Sequence, residues 1–296
     1  MYAAPRYWAT WLGLGIFWLL SRLPANTQLS IGRGLGSLLY YAVPARRRVV
    51  ETNIQLALPE LDASQQSQLT KTSYRHIGMA IAETGLLWFR NPGILADRVR
   101  FAGAEHLDAA LANKRGVILL QAHFTTIDLC GCFVGARWPV SAVYDNPKNA
   151  LYAHILKQQR SKHLSALIDN RDIRSMVRRL RRGEIVWYSP DQTVHPRKGG
   201  IATRYFGNPV LTTSGTARII SMTGATIVPF IPTRDANGDS YTLTFRPALD
   251  IDPSDVEAAT QAVNDLLEAQ VREQPEQYLW AHKRFKPPAG FPNPYT

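Results

Sequence analysis

Blocks of apolar and polar residues alternate through the second half of the chain, and the blocks change period. Val117 to Leu120 are apolar without interruption, the pattern of a strand buried on both faces of a parallel sheet. The run ends in Gln121-Ala122-His123, after which Thr125 or Thr126 can cap a helix carrying Asp128 in its first turns. Beyond it the spacing predicts strands over 140–144, 166–168, 185–188 and 226–231, and helices over 149–163, 172–182, 212–222 and 256–273. A strand over 241–246 reads as antiparallel and at an edge. Such alternation argues for an α/β layer fold with a mostly parallel central sheet flanked by helices.

The first third is helical in pattern. Residues 7–20 are apolar and rich in Trp, bracketed by Arg6 and Arg22 and stopped by Pro24. Fourteen residues fall short of the roughly 20 needed to cross a bilayer. Trp8, Trp11 and Trp18 suit an interfacial or shallowly inserted anchor, so the expected division is a membrane anchor over 1–24 and a globular domain over 25–296. A buried core helix is the alternative. Arg46, Arg47 and Arg48 follow, placed to meet anionic headgroups. A long helix is expected over 64–89, with Asn91-Pro92-Gly93 ending it, and a short one over 104–113. The proline-rich C-terminus reads as irregular.

Polar residues at strand ends are where chemistry collects in such sheets. His123 at the end of one strand and Asp128 five residues on could form a base and its orienting acid. Seven histidines produce such a spacing by chance in roughly one chain in three, so a capping His with a solvated acid is an equal reading of the spacing alone. Asp191 and Gln192 also follow a strand, where Pro190-Asp191 is equally ordinary turn chemistry. The sequence has no Gly-x-Ser-x-Gly elbow, no phosphate-binding glycine loop and no cluster with metal-ligand spacing. No metal or cofactor is therefore expected, and His123 is left as a base without a protein nucleophile. Direct attack of a substrate hydroxyl or amine on an activated acyl group fits that situation.

Charge adds a partner class. The net charge is +11, which calls for an anionic partner, and 45% hydrophobic residues exclude a disordered chain. The aromatics lack the base-stacking patterns of RNA-binding modules, so no nucleic acid is expected. Arg174, Arg178 and Arg182 form a stripe with Arg171 on the 172–182 helix, with Arg179 beside it and Ile173, Val177 and Leu180 opposite. Acids are sparse around it, so it reads as an anion-docking surface as well as a solvated face. Arg160 and Arg204 could each hold a phosphate bidentately, or simply be surface cations. Residues 277–286 mix aromatics and cations in the manner of a helix near lipid headgroups or a snorkelling surface. Cys130 and Cys132 read as buried small hydrophobes in a reducing compartment.

These residues resemble a known family. His123-Phe124-Thr125-Thr126-Ile127-Asp128 is similar to the His-x4-Asp/Glu motif of the glycerolipid acyltransferase superfamily. The wider pattern is similar to its branch of late, lauroyl/myristoyl-type lipid A acyltransferases. It covers the apolar N-terminus with Arg46–Arg48 and Asn53, Glu184–Gln192, Tyr205-Phe206-Gly207 with Thr213 and Gly215, Val228-Pro229-Phe230 with Arg234, and Pro275 to Lys286. Two positions depart from the pattern: many lipid A members carry Glu where Asp128 stands, and Thr193 occupies a place that is often acidic.

The resemblance implies an enzyme of the bacterial inner membrane, on its cytoplasmic face. It would move a fatty acyl chain from acyl carrier protein to a hydroxyl of an anionic, phosphorylated lipid A precursor. His123 would be the base and Asp128 its orienting acid. Substrate contacts would fall to Arg160, Asp191, Gln192, Arg204 and Arg234, and carrier docking to Arg174, Arg178, Arg179 and Arg182. A lysophospholipid, glycosylated phosphoinositide or ornithine lipid acceptor stays open, as does a non-catalytic protein that binds anionic lipid.

Overall fold

Four α-helices precede the first strand in the computed structural model, which describes residues 2–296. α1 (Trp8–Leu20) is followed by α2 (Ala25–Ala42) and by α3 (Pro44–Ala57), which opens on a proline whose missing N–H costs nothing at that position. α4 (Ala63–Phe89) begins in a capping box. Asp62 accepts from the Gln65 amide at 2.8 Å, and the Gln65 side chain accepts from the Asp62 amide at 2.9 Å. Glycines let α2 lie directly on α4. A Cβ on Gly36 would stand 2.1 Å from the Tyr74 carbonyl oxygen, and one on Gly78 2.0 Å from that of Gly32. α1 also packs on α4, burying Leu14 against Trp88, while Trp8, Trp11, Leu12, Ile16, Trp18 and Leu19 stay exposed. Among the described residues, no helix is long and apolar enough to cross a membrane.

The remaining elements are β1 (Val99–Ala102), α5 (Ala104–Ala112), β2 (Val117–Leu120), α6 (Ile127–Arg137), β3 (Val140–Tyr144), α7 (Ala150–Arg160), β4 (Ala166–Asp169) and α8 (Ile173–Arg181). They continue through β5 (Ile185–Tyr188), β6 (Gly200–Tyr205), β7 (Asn208–Thr213), α9 (Gly215–Thr223), β8 (Thr226–Arg234), β9 (Tyr241–Phe245) and α10 (Val256–Glu273). Seven strands form one sheet in the order β1-β9-β8-β2-β5-β3-β4, with only the β8–β9 pair antiparallel. β2 is central, and all four of its residues are buried. Ile118 and Leu120 enter a core with Val263 and Leu267 of α10, whereas Val117 and Leu119 enter a second core with Leu129 and Val134 of α6. Each such side chain contributes about 1.5–3 kcal/mol by leaving water, which is why the continuous apolar run needs cover on both faces.

Several expectations are corrected. The 241–245 strand is antiparallel to β8 but not at the edge, because β1 pairs with it on the outside. The helix expected from Thr212 starts at Gly215, since Thr212 and Thr213 belong to β7. β6 and β7 form a hairpin whose two-residue turn, Phe206-Gly207, has φ of 50° and 71°. Both values are left-handed, the geometry of a twisted hairpin, yet Phe in the place of Asn or Asp conceals the turn in the sequence. On α8, Met176 and Leu180 are buried while Ile173 is exposed. Residues 277–286 are not a surface helix: Tyr278, Trp280, Arg284 and Phe285 are buried, and Arg284 donates to the Leu211 carbonyl at 3.0 Å. Cys130 and Cys132 are free and buried.

Candidate active site

Sheet register brings two distant residues together. Leu120 of β2 pairs with Tyr188 of β5, and His123 and Asp191 each lie three residues beyond that pair. Both loops leave the same sheet edge, so the two side chains meet although 68 positions separate them. His123 Nδ1 is hydrogen-bonded to Asp191 Oδ1, and the His123 backbone N–H donates to Asp191 Oδ2 at 2.9 Å. A carboxylate facing Nδ1 requires the proton there, leaving the Nε2 lone pair free to accept. Gln192 Nε2 stands 3.3 Å from that nitrogen and 3.4 Å from His282 Nε2.

The pair is electrostatically coupled. Burial works against ionised Asp191, but the charge and hydrogen bonds of His123 outweigh it and hold the carboxyl at about 2. Burial also works against charged His123, and Asp191 outweighs it in turn, so the imidazole titrates above its ordinary value. His282 is lowered by burial and by the neighbouring His123.

The expected orienting role of Asp128 is corrected. Its Oδ1 accepts from Arg160 Nε at 2.7 Å and its Oδ2 from Thr84 Oγ1 at 3.1 Å, so both oxygens turn away from the imidazole. Thr126 does stand at the N-cap of α6, but no side-chain hydrogen bond forms there. The loop is held from outside instead. The Leu279 amide donates to the His123 carbonyl at 2.8 Å, and the Thr125 amide to the Gln277 carbonyl at 2.9 Å. Gln270 of α10 accepts from the Ala122 amide at 2.8 Å and donates to the Leu120 carbonyl at 3.1 Å. The buried C-terminal segment is therefore a clamp on the His123 turn.

His123 opens on a cavity of about 830 Å³, within the usual range for small-molecule sites. His123, Asp128, Arg160 and Gln192 line it, with His195, Lys198 and Lys286 adding positive or ionisable groups. Trp88, Ile127, Gly131, Cys132, Leu164 and Trp187 give it apolar walls. Burial pushes the Cys132 thiol up to about 12, which keeps it protonated and unreactive.

Other expected site residues lie elsewhere. Arg234 is completely buried: its guanidinium donates to Glu83 from Nε and Nη2, both at 2.7 Å, and its Nη1 is 2.9 Å from His76 Nδ1. It is a buried, paired cation that does not line the cavity. Arg204 is exposed, donates to the Gly207 carbonyl at 2.9 Å and does not line the cavity. Arg174, Arg178 and Arg182 are exposed away from it, and Arg179 pairs with Glu184 at 2.7 Å. Thr84, His282, Lys198 and Lys286 are site residues that sequence reasoning did not single out. His282 and Lys286 lay inside the C-terminal motif but were read as a lipid-facing surface.

Comparison with known proteins gives a consistent likeness. The family model described as bacterial lipid A biosynthesis acyltransferase matches residues 1–287. A lipid A biosynthesis lauroyltransferase of Escherichia coli (strain K12) is 34% identical, covering 98% of this chain and 96% of its own length. A palmitoleoyltransferase of the same pathway and strain is 31% identical, covering 95% and 92%. A myristoyltransferase from that strain is 24% identical, covering 95% and 88%.

Proposed function

We infer the reaction from one premise: the chain belongs to the bacterial lipid A biosynthesis acyltransferase family. The activity is acyl transfer in lipid A synthesis. We propose that the donor is an acyl carrier protein thioester and the acceptor a hydroxyl of a phosphorylated lipid A precursor. His123 Nε2 removes the hydroxyl proton as the oxygen attacks the thioester carbonyl. The tetrahedral intermediate collapses, the C–S bond breaks, and the leaving thiolate takes the proton back from the imidazolium.

Asp191 holds Nδ1–H and stabilises the imidazolium, as the orienting acid of a triad does. The Gln192 amide occupies the place of the acceptor hydroxyl and must yield it. N–H groups in the first turn of α6 have no intrahelical acceptor and can meet the developing oxyanion. Arg160, with Lys198 and Lys286, provides the positive field for acceptor phosphates. The exposed Arg174, Arg178 and Arg182 provide one for the acidic carrier.

α1 is the membrane contact in this reading. At 1.5 Å per residue it is about 20 Å long, against about 30 Å of hydrocarbon, so it lies in the interface with its exposed Trp and Leu side chains inserted. The exposed aromatic and aliphatic side chains of α1 support a reading of the chain at the inner membrane's cytoplasmic face, beside a lipid acceptor.

The observation that carries the mechanism is the hydrogen bond of His123 Nδ1 to Asp191 in an imidazole that lines the cavity. The test is transfer from acyl carrier protein to a lipid A precursor in mixed micelles. Expected is a loss of about 10⁴ to 10⁶-fold in His123→Ala, comparable to removal of a triad base in other enzymes. Wild-type rates in that variant would reject base catalysis at His123.

A further inference from the structure

We propose that Gly131 sets the length of the acyl chain that the cavity accepts, an inference that rests on the acyl-transfer reading above. α6 lines the cavity beyond His123 through Ile127, Asp128, Gly131 and Cys132. Asp128, in the first turn, holds the charged end of the cavity through Arg160. Gly131, one turn further, lines the same cavity, and a Cβ built there would meet only Trp187 Cζ3 at 3.8 Å and Leu164 Cδ1 at 4.0 Å. These are ordinary contacts, so there is room for a methyl group and anything larger enters the cavity. Another turn on, the space has closed. A Cβ on Gly135 would stand 2.2 Å from the His163 carbonyl oxygen. Gly131 is thus a position on this α6 face, next to the cavity-lining Cys132, at which a longer side chain would project into free volume.

The walls around it suit a hydrocarbon. Cys132, Ala142, Leu164 and Trp187 complete this end of the cavity. Ala142 and Trp187 are register partners across β3 and β5, and Trp187 pairs also with Leu119, four residues before His123. At about 3.3 Å per residue, this row lies roughly 13 Å before the base along the chain. Trp88, Ile127, Leu164 and Trp187 give the cavity apolar surface beside the charged Asp128 and Arg160. An acyl chain whose thioester carbonyl reaches His123 would place its tail against Gly131. Glycine in the middle of a helix is unfavourable relative to alanine, so its presence where space is open needs a reason other than helix stability. Leaving that space to the ligand supplies one.

The experiment uses the full chain with a graded series of saturated acyl donors on acyl carrier protein, and separately measures binding of the matching free fatty acids. Gly131→Leu should lower the ratio of kcat/KM for the longest accepted donor to that of a short one by at least about tenfold, the scale of one misplaced methylene in an apolar pocket. Leu164→Ala, which opens the same end, should move the ratio the other way, a gain that a folding defect cannot produce. Fatty-acid affinities should shift in parallel. An unchanged ratio in both variants, or equal losses at every length, overturns the proposal. Length-dependent binding without transfer by the wild-type chain would retain the ruler and reject the acyl-transfer reading.

Discussion

Asp191 and Asp128 stand on two sides of one histidine and are matched to different partners. The Asp191 side chain is 1% exposed and spends its oxygens on the imidazole and backbone of His123. The Asp128 side chain is 14% exposed, faces the cavity, and spends its oxygens on Arg160 and Thr84. One therefore holds an imidazole, and the other aims a cation. Spacing along the chain favoured Asp128; register across the sheet selects Asp191. The same contrast separates two arginines. Arg160 keeps guanidinium nitrogens toward the cavity, whereas Arg234, against Glu83 and His76, has none to offer a substrate. Adjacent residues of α4 support the two cations: Glu83 pairs with Arg234, and Thr84 holds the acid that holds Arg160.

The largest effect expected from this contrast is at Asp191. Asp191→Asn presents an amide to Nδ1 and favours the wrong tautomer, so kcat should fall about 10⁴-fold. The pH profile carries a second sign. Asp191 raises the His123 pKa, and the base works only when neutral, so wild-type kcat/KM climbs as pH rises through a value above that of free histidine. Without the carboxylate that limb should move to lower pH. A variant within tenfold of wild type and with an unmoved limb would return the orienting role to some other group.

Next in size is the buried pair. Glu83→Gln leaves Arg234 charged and incompletely paired in the interior, which costs about 3–5 kcal/mol. In a chain of this size the melting temperature should drop on the order of 10 °C, measurable by calorimetry. If the drop is within about 2 °C, Arg234 has an alternative partner or access to water, and its exclusion from substrate binding fails.

Much of the central sheet was legible because β2 and β5 are short apolar runs that can only be buried, and α10 carries a clean helical period. β1 was not, since Val99–Ala102 includes an exposed Arg100 and has no apolar run. The β6–β7 hairpin was hidden by a Phe in a left-handed turn. At the site, His123 was legible from its place at a strand end. Its partner needed the alignment of β2 with β5, which no local period encodes. Arg234 was misassigned because an arginine after a strand looks the same in sequence whether its carboxylate partner is a substrate or Glu83.

Asp128→Asn should have a smaller effect than Asp191→Asn and a different one. Losing the charge that aims Arg160 should lower kcat/KM by about 10 to 10²-fold, on the scale of one charged hydrogen bond. The acid limb of the profile should stay in place, because Asp128 does not touch the imidazole. A limb displaced as far as in Asp191→Asn would merge the two roles and undo the comparison.

The smallest effects belong to surface arginines, where the carrier-docking proposal is most exposed to test. Arg178→Glu with Arg182→Glu reverses two exposed charges far from the cavity lining. A docking surface of that kind governs encounter more than chemistry, so KM for the carrier-linked donor should rise about tenfold while kcat stays level, and added salt should narrow the gap between variant and wild type. Arg204→Ala is the control. Its side chain is exposed and its guanidinium bonds the nearby Gly207 carbonyl, so both constants should stay within about twofold. An equal response at the two sites would show that net charge alone draws the carrier in. A response at Arg204 alone would move the docking surface from α8 to the β6–β7 hairpin.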